Sequence, residues 1–231
     1  MKENLPLSLL SFILLISGSL SAQDYFRFTA NFVIKEKLED EASQLITGNV
    51  YFDKYIKKLV YDVQFPESSI IIMLDTLLYK IKDGVVDEIK SIPPLAENSV
   101  FYQLLEGKTK NFGLDEPNSG YELKSVEKSD GQVISTFEPV EELKTVFGTV
   151  YISVKEGKLY GVIIMDKGGE ILSKQFFRKY INVKGLQVPS EMITINFLQT
   201  GKTLKKITTF KDVRINENEN DIMYNYPLGG H

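Results

Sequence analysis

The single histidine of this chain is its last residue, His231, and there is no cysteine. Imidazole acid–base catalysis, Ser-His-Asp triads, His or Cys metal sites and thiol chemistry therefore lack their reacting groups. Gly107-Lys108-Thr109 and Gly201-Lys202-Thr203 each end as a phosphate-binding loop ends. Such a loop needs an earlier glycine whose neighbourhood supplies amide groups to the phosphates, and that position holds Tyr102 in one run and Asn196 in the other. Both runs read as turns. Asp115-Glu116 and Glu141-Glu142 could act as acid and base or hold Ca²⁺, but they lack the alternating oxygen-ligand spacing of a calcium loop and read as solvated charge. No Gly-x-Ser-x-Gly elbow and no Asn-x-Ser/Thr site occurs. The expectation is a protein that is not an enzyme and needs no cofactor or metal. A hydrolase or isomerase using a pocket carboxylate is the residual enzymatic alternative.

The chain is better supplied with apolar surface. Aromatic residues make up 11% of the sequence, all Phe and Tyr, and the Phe residues concentrate where strands are expected. Tyr25 to Lys35 alternates strictly, with Phe26, Phe28, Ala30, Phe32 and Ile34 on one face. A second strand runs through Ile46, Gly48, Val50 and Phe52. In the next, Leu59, Tyr61, Val63 and Phe65 point one way and Lys58, Val60, Asp62 and Gln64 the other. Pro66 to Ser69 turns the chain into the apolar run Ile70 to Leu74, and Leu77 to Lys82 and Val85 to Ile92 form a hairpin about Asp83-Gly84. An ordinary core and a lipid pocket would use the same residues on that apolar face.

After Pro93-Pro94 the period changes. Val100, Phe101, Leu104 and Leu105 follow a helix-start sequence at helical spacing, and Gly107 stops the run, which predicts a short amphipathic helix laid on the sheet. Strands return at Tyr121 to Lys128 and Gln132 to Phe137, with a helical turn possible at Pro139 to Lys144. From Gly148 onward strand follows strand, and the last is read at Met223 to Tyr226. The fold class expected is mainly β (α+β), a single curved antiparallel sheet of about eleven strands forming an unclosed half-barrel covered by short helices.

At the N-terminus, a charged head, the apolar run Leu5 to Ile16 and the small-residue exit through Ala22 predict a secretory signal peptide over residues 1–22, cleaved near Ala22. Residues 23–231 are then expected to form one exported domain, periplasmic and monomeric, stable without disulfides. The net charge of −4, with both signs interspersed and no basic face, argues against nucleic acid as a partner.

FTANFVIKE, GNVYFDK, KLVYDVQFPES, IIIMLD and TLLYKIKD, in that order and spacing, resemble the N-terminal half of the periplasmic outer-membrane lipoprotein carriers, the LolA-like superfamily. The likeness is fullest over residues 25–92. It extends to the helix near Val100, to the strands through Val150 and Gly161, and to a turn at Asp166-Lys167-Gly168. Lys54-Tyr55 stands where those carriers have Arg-Pro, and Thr76 replaces the glycine of an Asp-Gly turn.

The resemblance implies a concave apolar cavity that takes up the acyl chains of lipoproteins or another lipid, passed from an inner-membrane donor to an outer-membrane acceptor. Phe26, Phe28, Phe32, Phe52 and Leu59 would line it, with Tyr61, Val63, Phe65, Leu77 and Tyr79. Phe101, Leu104 and Leu105 would sit on a lid, clasped by Lys54 in place of the family's arginine. Lysine is a point donor rather than a planar fork. Burying one chain of about sixteen carbons contributes on the order of 12 kcal/mol gross, and two or three would exceed the practical ceiling of ~18–21 kcal/mol. A carrier that must release its cargo therefore buries it incompletely. The alternative from a different class is a periplasmic module of the same fold that senses a lipid or protein and regulates a partner.

Overall fold

The computed structural model describes residues 24–92, 95 and 97–228. The predicted signal peptide, Pro93-Pro94 and His231 lie outside them. The strands are β1 (Arg27–Leu38), β2 (Gln44–Asp53), β3 (Lys58–Phe65), β4 (Ser69–Leu74), β5 (Leu77–Lys82), β6 (Val85–Ser91), β7 (Tyr121–Ser129), β8 (Gln132–Pro139), β9 (Val150–Lys155), β10 (Lys158–Met165), β11 (Ile171–Val183), β12 (Leu186–Phe197) and β13 (Thr203–Ile215). They form one open antiparallel sheet in the order β6-β5-β4-β3-β2-β1-β13-β12-β11-β10-β9-β8-β7. The mainly β, unclosed and curved architecture agrees with the sequence reading, with thirteen strands in place of about eleven.

Every neighbouring pair but one is a sequential hairpin. The exception joins β1 to β13, so the first and last strands meet at the centre of the sheet. The two edges, β6 and β7, are consecutive in sequence, and the chain between them carries the helix α1 (Glu97–Leu105). One connection thus crosses from edge to edge over a single face, here called the inner face.

The inner face buries Phe28 and Phe32 of β1, Val50 and Phe52 of β2, and Leu59 and Tyr61 of β3 against Val100, Phe101, Leu104 and Leu105 of α1. Phe177, Met192 and Phe210, from β11, β12 and β13, complete that cluster from the other half of the sheet. Close approach is needed at Gly48, which lies opposite Phe32: a Cβ there would stand 1.9 Å from the carbonyl oxygen of Asp62.

A second cluster covers the outer face. Tyr51, Val60, Ile72 and Ile81 pack under Tyr224 of α2 (Asp221–Tyr224). Arg27 fastens α2. Its Nε bonds Asp53 at 2.9 Å, its Nη1 bonds Asp221 at 2.5 Å, and its guanidinium lies 4.3 Å from the Tyr224 ring centre. Met223 to Tyr226, expected as a strand, instead holds the end of this helix, Met223 and Tyr224, and the turn that follows; a single turn is too short to reveal its period in sequence.

Register corrects three further expectations. In β3 the pairing steps from Gly48↔Val63 to Thr47↔Phe65, so an extra residue breaks the alternation after Val63 and Phe65 stands 50% exposed. In β5, Tyr79 lies opposite Ile72, and Leu77 opposite Leu74, both members of the outer-face group. Leu77 and Tyr79 hence sit on the outer face and do not join the inner-face aromatics. The continuous apolar run of β4 carried no alternation that could have assigned them a side.

Candidate functional site

Phe28, Phe52, Phe101 and Phe210 meet at ring-centre distances of 4.7 to 5.8 Å, and Phe32 meets Tyr61 edge-on at 4.9 Å. With Leu59, Val63, Leu104 and Leu105 these side chains are almost wholly buried. They make a packed core beneath α1. Phe26 is not part of this group; it is half-buried and stacks on the exposed Tyr55.

Lys54, only 10% exposed at its side chain, reaches Glu106 Oε1 at 2.9 Å, directly after α1, and Asp24 Oδ1 at 2.7 Å. The position thus contacts the end of the helix through an ion pair. Burial pulls the Lys54 ammonium down, but hydrogen bonds from it to Asp24 and Glu106 outweigh that and leave its pKa above the ordinary lysine value. The bond from Lys54, then that from the Tyr55 hydroxyl, holds Asp24 below its usual 3.8. Because the folded Asp24 pKa is lowered, its contribution to stability is present above 3.8 and is lost as pH falls through the lowered value. Glu106→Gln is expected to cost about 1 kcal/mol, since the pair is partly screened, and to speed amide exchange in α1 relative to β1. Unchanged exchange in α1 would mean that the pair does not hold the helix.

The open space lies elsewhere. A cavity of about 870 Å³ opens beside the α1 core, between the segment leading into α1 and the far half of the sheet. None of the thirteen residues expected to bind lipid lines it. Met73, Ile92, Leu95, Tyr121, Val146 and Phe147 line it. Ile164, Met165, Leu172 and Leu198 add further apolar surface, and Asp166 and Lys167 stand at the adjoining turn.

That wall is held by backbone. A Cβ at Gly148 would stand 1.9 Å from the carbonyl oxygen of Asp166, so only glycine allows the two segments to touch. Asp166 Oδ1 in turn accepts the amides of Gly168 at 2.8 Å and Glu170 at 2.9 Å, which folds the expected turn.

The remaining lining is polar and comes from adjacent strands in register. Gln175 of β11 lies opposite Thr194 of β12, which lies opposite Lys206 of β13. One step along, Ile164 of β10, Ser173 and Asn196 form the next row. These positions continue the face that bears Phe177, Met192 and Phe210 in the core. On three neighbouring strands the same face therefore changes from apolar to polar: Phe177 to Gln175 to Ser173, Met192 to Thr194 to Asn196, and Phe210 to Thr208 to Lys206. This change of character at period two is the sequence signal that could have located the cavity.

The described residues contain no group of three or more His, Asp or Glu side chains placed to hold a metal ion, and none of their helices is long and apolar enough to cross a membrane. The sequence matches no family model and no curated protein. Solved structures do match in shape. A LolA superfamily protein from Nitrosomonas europaea superposes with a TM-score of 0.56 at 15% identity, over 87% of this chain and 91% of its own. The fold is LolA-like. A putative outer membrane lipoprotein-sorting protein domain from Vibrio parahaemolyticus gives a TM-score of 0.56 at 14% identity, covering 87% of this chain and 89% of that one. A DUF1329 family protein from Desulfovibrio piger gives 0.57 at 12% identity, covering 87% and 90%. The LolA-like sheet thus spans most of the chain, with the edge-to-edge connection bearing α1 laid over its inner face.

Proposed function

We propose that this protein is an exported carrier that takes one acyl chain of a lipoprotein or another lipid into the cavity beside α1 and delivers it toward the outer membrane. The observation that carries this reading is the cavity itself. Its 870 Å³ lie within the range of about 300–1,000 Å³ typical of ligand pockets, and most of its walls are apolar. If a methylene takes roughly the ~30 Å³ of a liquid water, a chain of about sixteen carbons needs on the order of 500 Å³. One chain fits and two overfill the space, which keeps the cargo releasable. The packed Phe28–Phe101–Phe210 group then supports the lid and does not contact the chain. The likeness of fold to a lipoprotein-sorting domain supports the same reading.

The test is titration of the protein lacking residues 1–22 with a fluorescent monoacyl lipopeptide, followed by transfer of the bound probe to acceptor vesicles. Saturable binding at micromolar probe and transfer faster than from buffer are expected. A folded protein that binds none of the probe overturns the proposal, and stoichiometric co-purification of a protein partner without lipid would favour the sensing module.

A further inference from the structure

A cavity that only had to hold hydrocarbon would be lined with hydrocarbon. Here Ser173, Gln175, Thr194 and Asn196 lie side by side on the inner face of β11 and β12, at the end of the rows that begin in the core. Two of their atoms are buried with no hydrogen-bond partner among the described residues: Ser173 Oγ and Gln175 Oε1. Gln175 is 8% exposed, and its Nε2 donates to the carbonyl oxygen of Leu95 at 3.3 Å, which fixes the amide and leaves Oε1 as the end in want of a donor. A buried acceptor left unmet costs free energy, and a native site tolerates it most readily where a ligand completes the bond.

Resting on the acyl-binding reading above, we propose that the cavity selects single-chain lipids whose head group is uncharged and donates hydrogen bonds, as a hydroxyl or an acyl-amide N–H does. The head lies on Ser173, Gln175 and their neighbours Thr194 and Asn196, and the chain runs along Met73, Leu95 and Ile164. A carboxylate has no hydrogen to give Gln175 Oε1 and would set like partial charges against each other. The amide-linked and hydroxyl-bearing heads supply what that oxygen lacks, and the Ser173 hydroxyl can donate to the adjoining carbonyl. Lys206, in the same row as Gln175, lies opposite Glu36 in the β1–β13 register, which places a carboxylate-bearing residue across from it.

The experiment compares a long-chain monoacylglycerol with the fatty acid of the same chain length, each displacing the fluorescent lipopeptide from the protein lacking residues 1–22, at a pH where the fatty acid is ionised. The monoacylglycerol is expected to bind about tenfold tighter, and Gln175→Met to remove that preference. Ser173→Ala is expected to reduce it by about threefold, as a second variant with little effect on packing. Equal or tighter binding of the fatty acid, or a preference that survives Gln175→Met in a folded protein, overturns the head-group proposal and leaves the carrier reading standing. Failure of both lipids and of the lipopeptide to bind overturns both.

Discussion

Replacing Phe28 by Ala is expected to lower the free energy of unfolding by about 3–5 kcal/mol. The ring is 0% exposed, lies 4.7 Å from Phe101 and 5.8 Å from Phe210 centre to centre, and joins α1 to both halves of the sheet across the central β1–β13 pair. Three strands and a helix meet around it, so collapse into the space left behind is resisted from every side and the loss falls at the upper end for a buried aromatic. Urea unfolding followed by circular dichroism measures it as a fall in midpoint at unchanged slope. Phe28→Glu is expected to prevent folding, because its charge would have no partner in a packed aromatic cluster. These outcomes separate a core from a ligand-binding surface. A loss under about 1 kcal/mol accompanied by lost lipid binding would mean that the cluster opens to the ligand and that Phe28 touches cargo.

Much of this core is legible in the sequence because β1 and the first part of β3 are covered on one face and alternate cleanly. Phe28, Phe32, Leu59, Tyr61 and Val63 fall where period two puts them, and the helical spacing of Val100, Phe101, Leu104 and Leu105 marks α1. Where alternation fails, so does the reading. The extra residue in β3 releases Phe65, and β4, apolar on both faces, gives no side to which Leu77 and Tyr79 could be assigned. The cavity is harder still to read from a single stretch. Gln175 and Leu95, which meet across it, are 80 residues apart, and its polar floor exists only once two hairpins have set their registers. A residue such as Thr194 looks like any half-buried strand position until its neighbours are known. Aromatic richness drew attention to the best-packed region, whereas the space for a ligand lies where packing gives out.

Ile164→Glu is expected to weaken binding of the monoacyl lipopeptide about 100-fold while leaving most of the stability intact. Ile164 faces the cavity from β10, one residue from its end, and is only half-buried, so a carboxylate there can stay hydrated by water filling the empty space. The fold thus loses little beyond the side chain's own contacts with the core. An acyl chain entering the cavity must displace that water and lie against the charge, and stripping a carboxylate of its hydration costs far more than one lost apolar contact. Part of the cost is avoided if the group takes up a proton as the ligand enters, which brings the expected loss to about 2.7 kcal/mol, or 100-fold. That linkage has a sign that can be checked: binding to the variant should recover as pH falls toward the carboxylate range, because the neutral acid is the form that tolerates the chain, while the parent protein shows no such recovery. The comparison with Leu104→Glu sharpens it. Leu104 of α1 is 3% exposed, packed against the sheet, and does not line the cavity, so its substitution should cost stability first and binding only through unfolding. Titrating both variants with the lipopeptide alongside urea unfolding distinguishes them. If Ile164→Glu binds as the parent does and Leu104→Glu remains folded without binding, the chain enters under α1 and the cavity beside it is not the site.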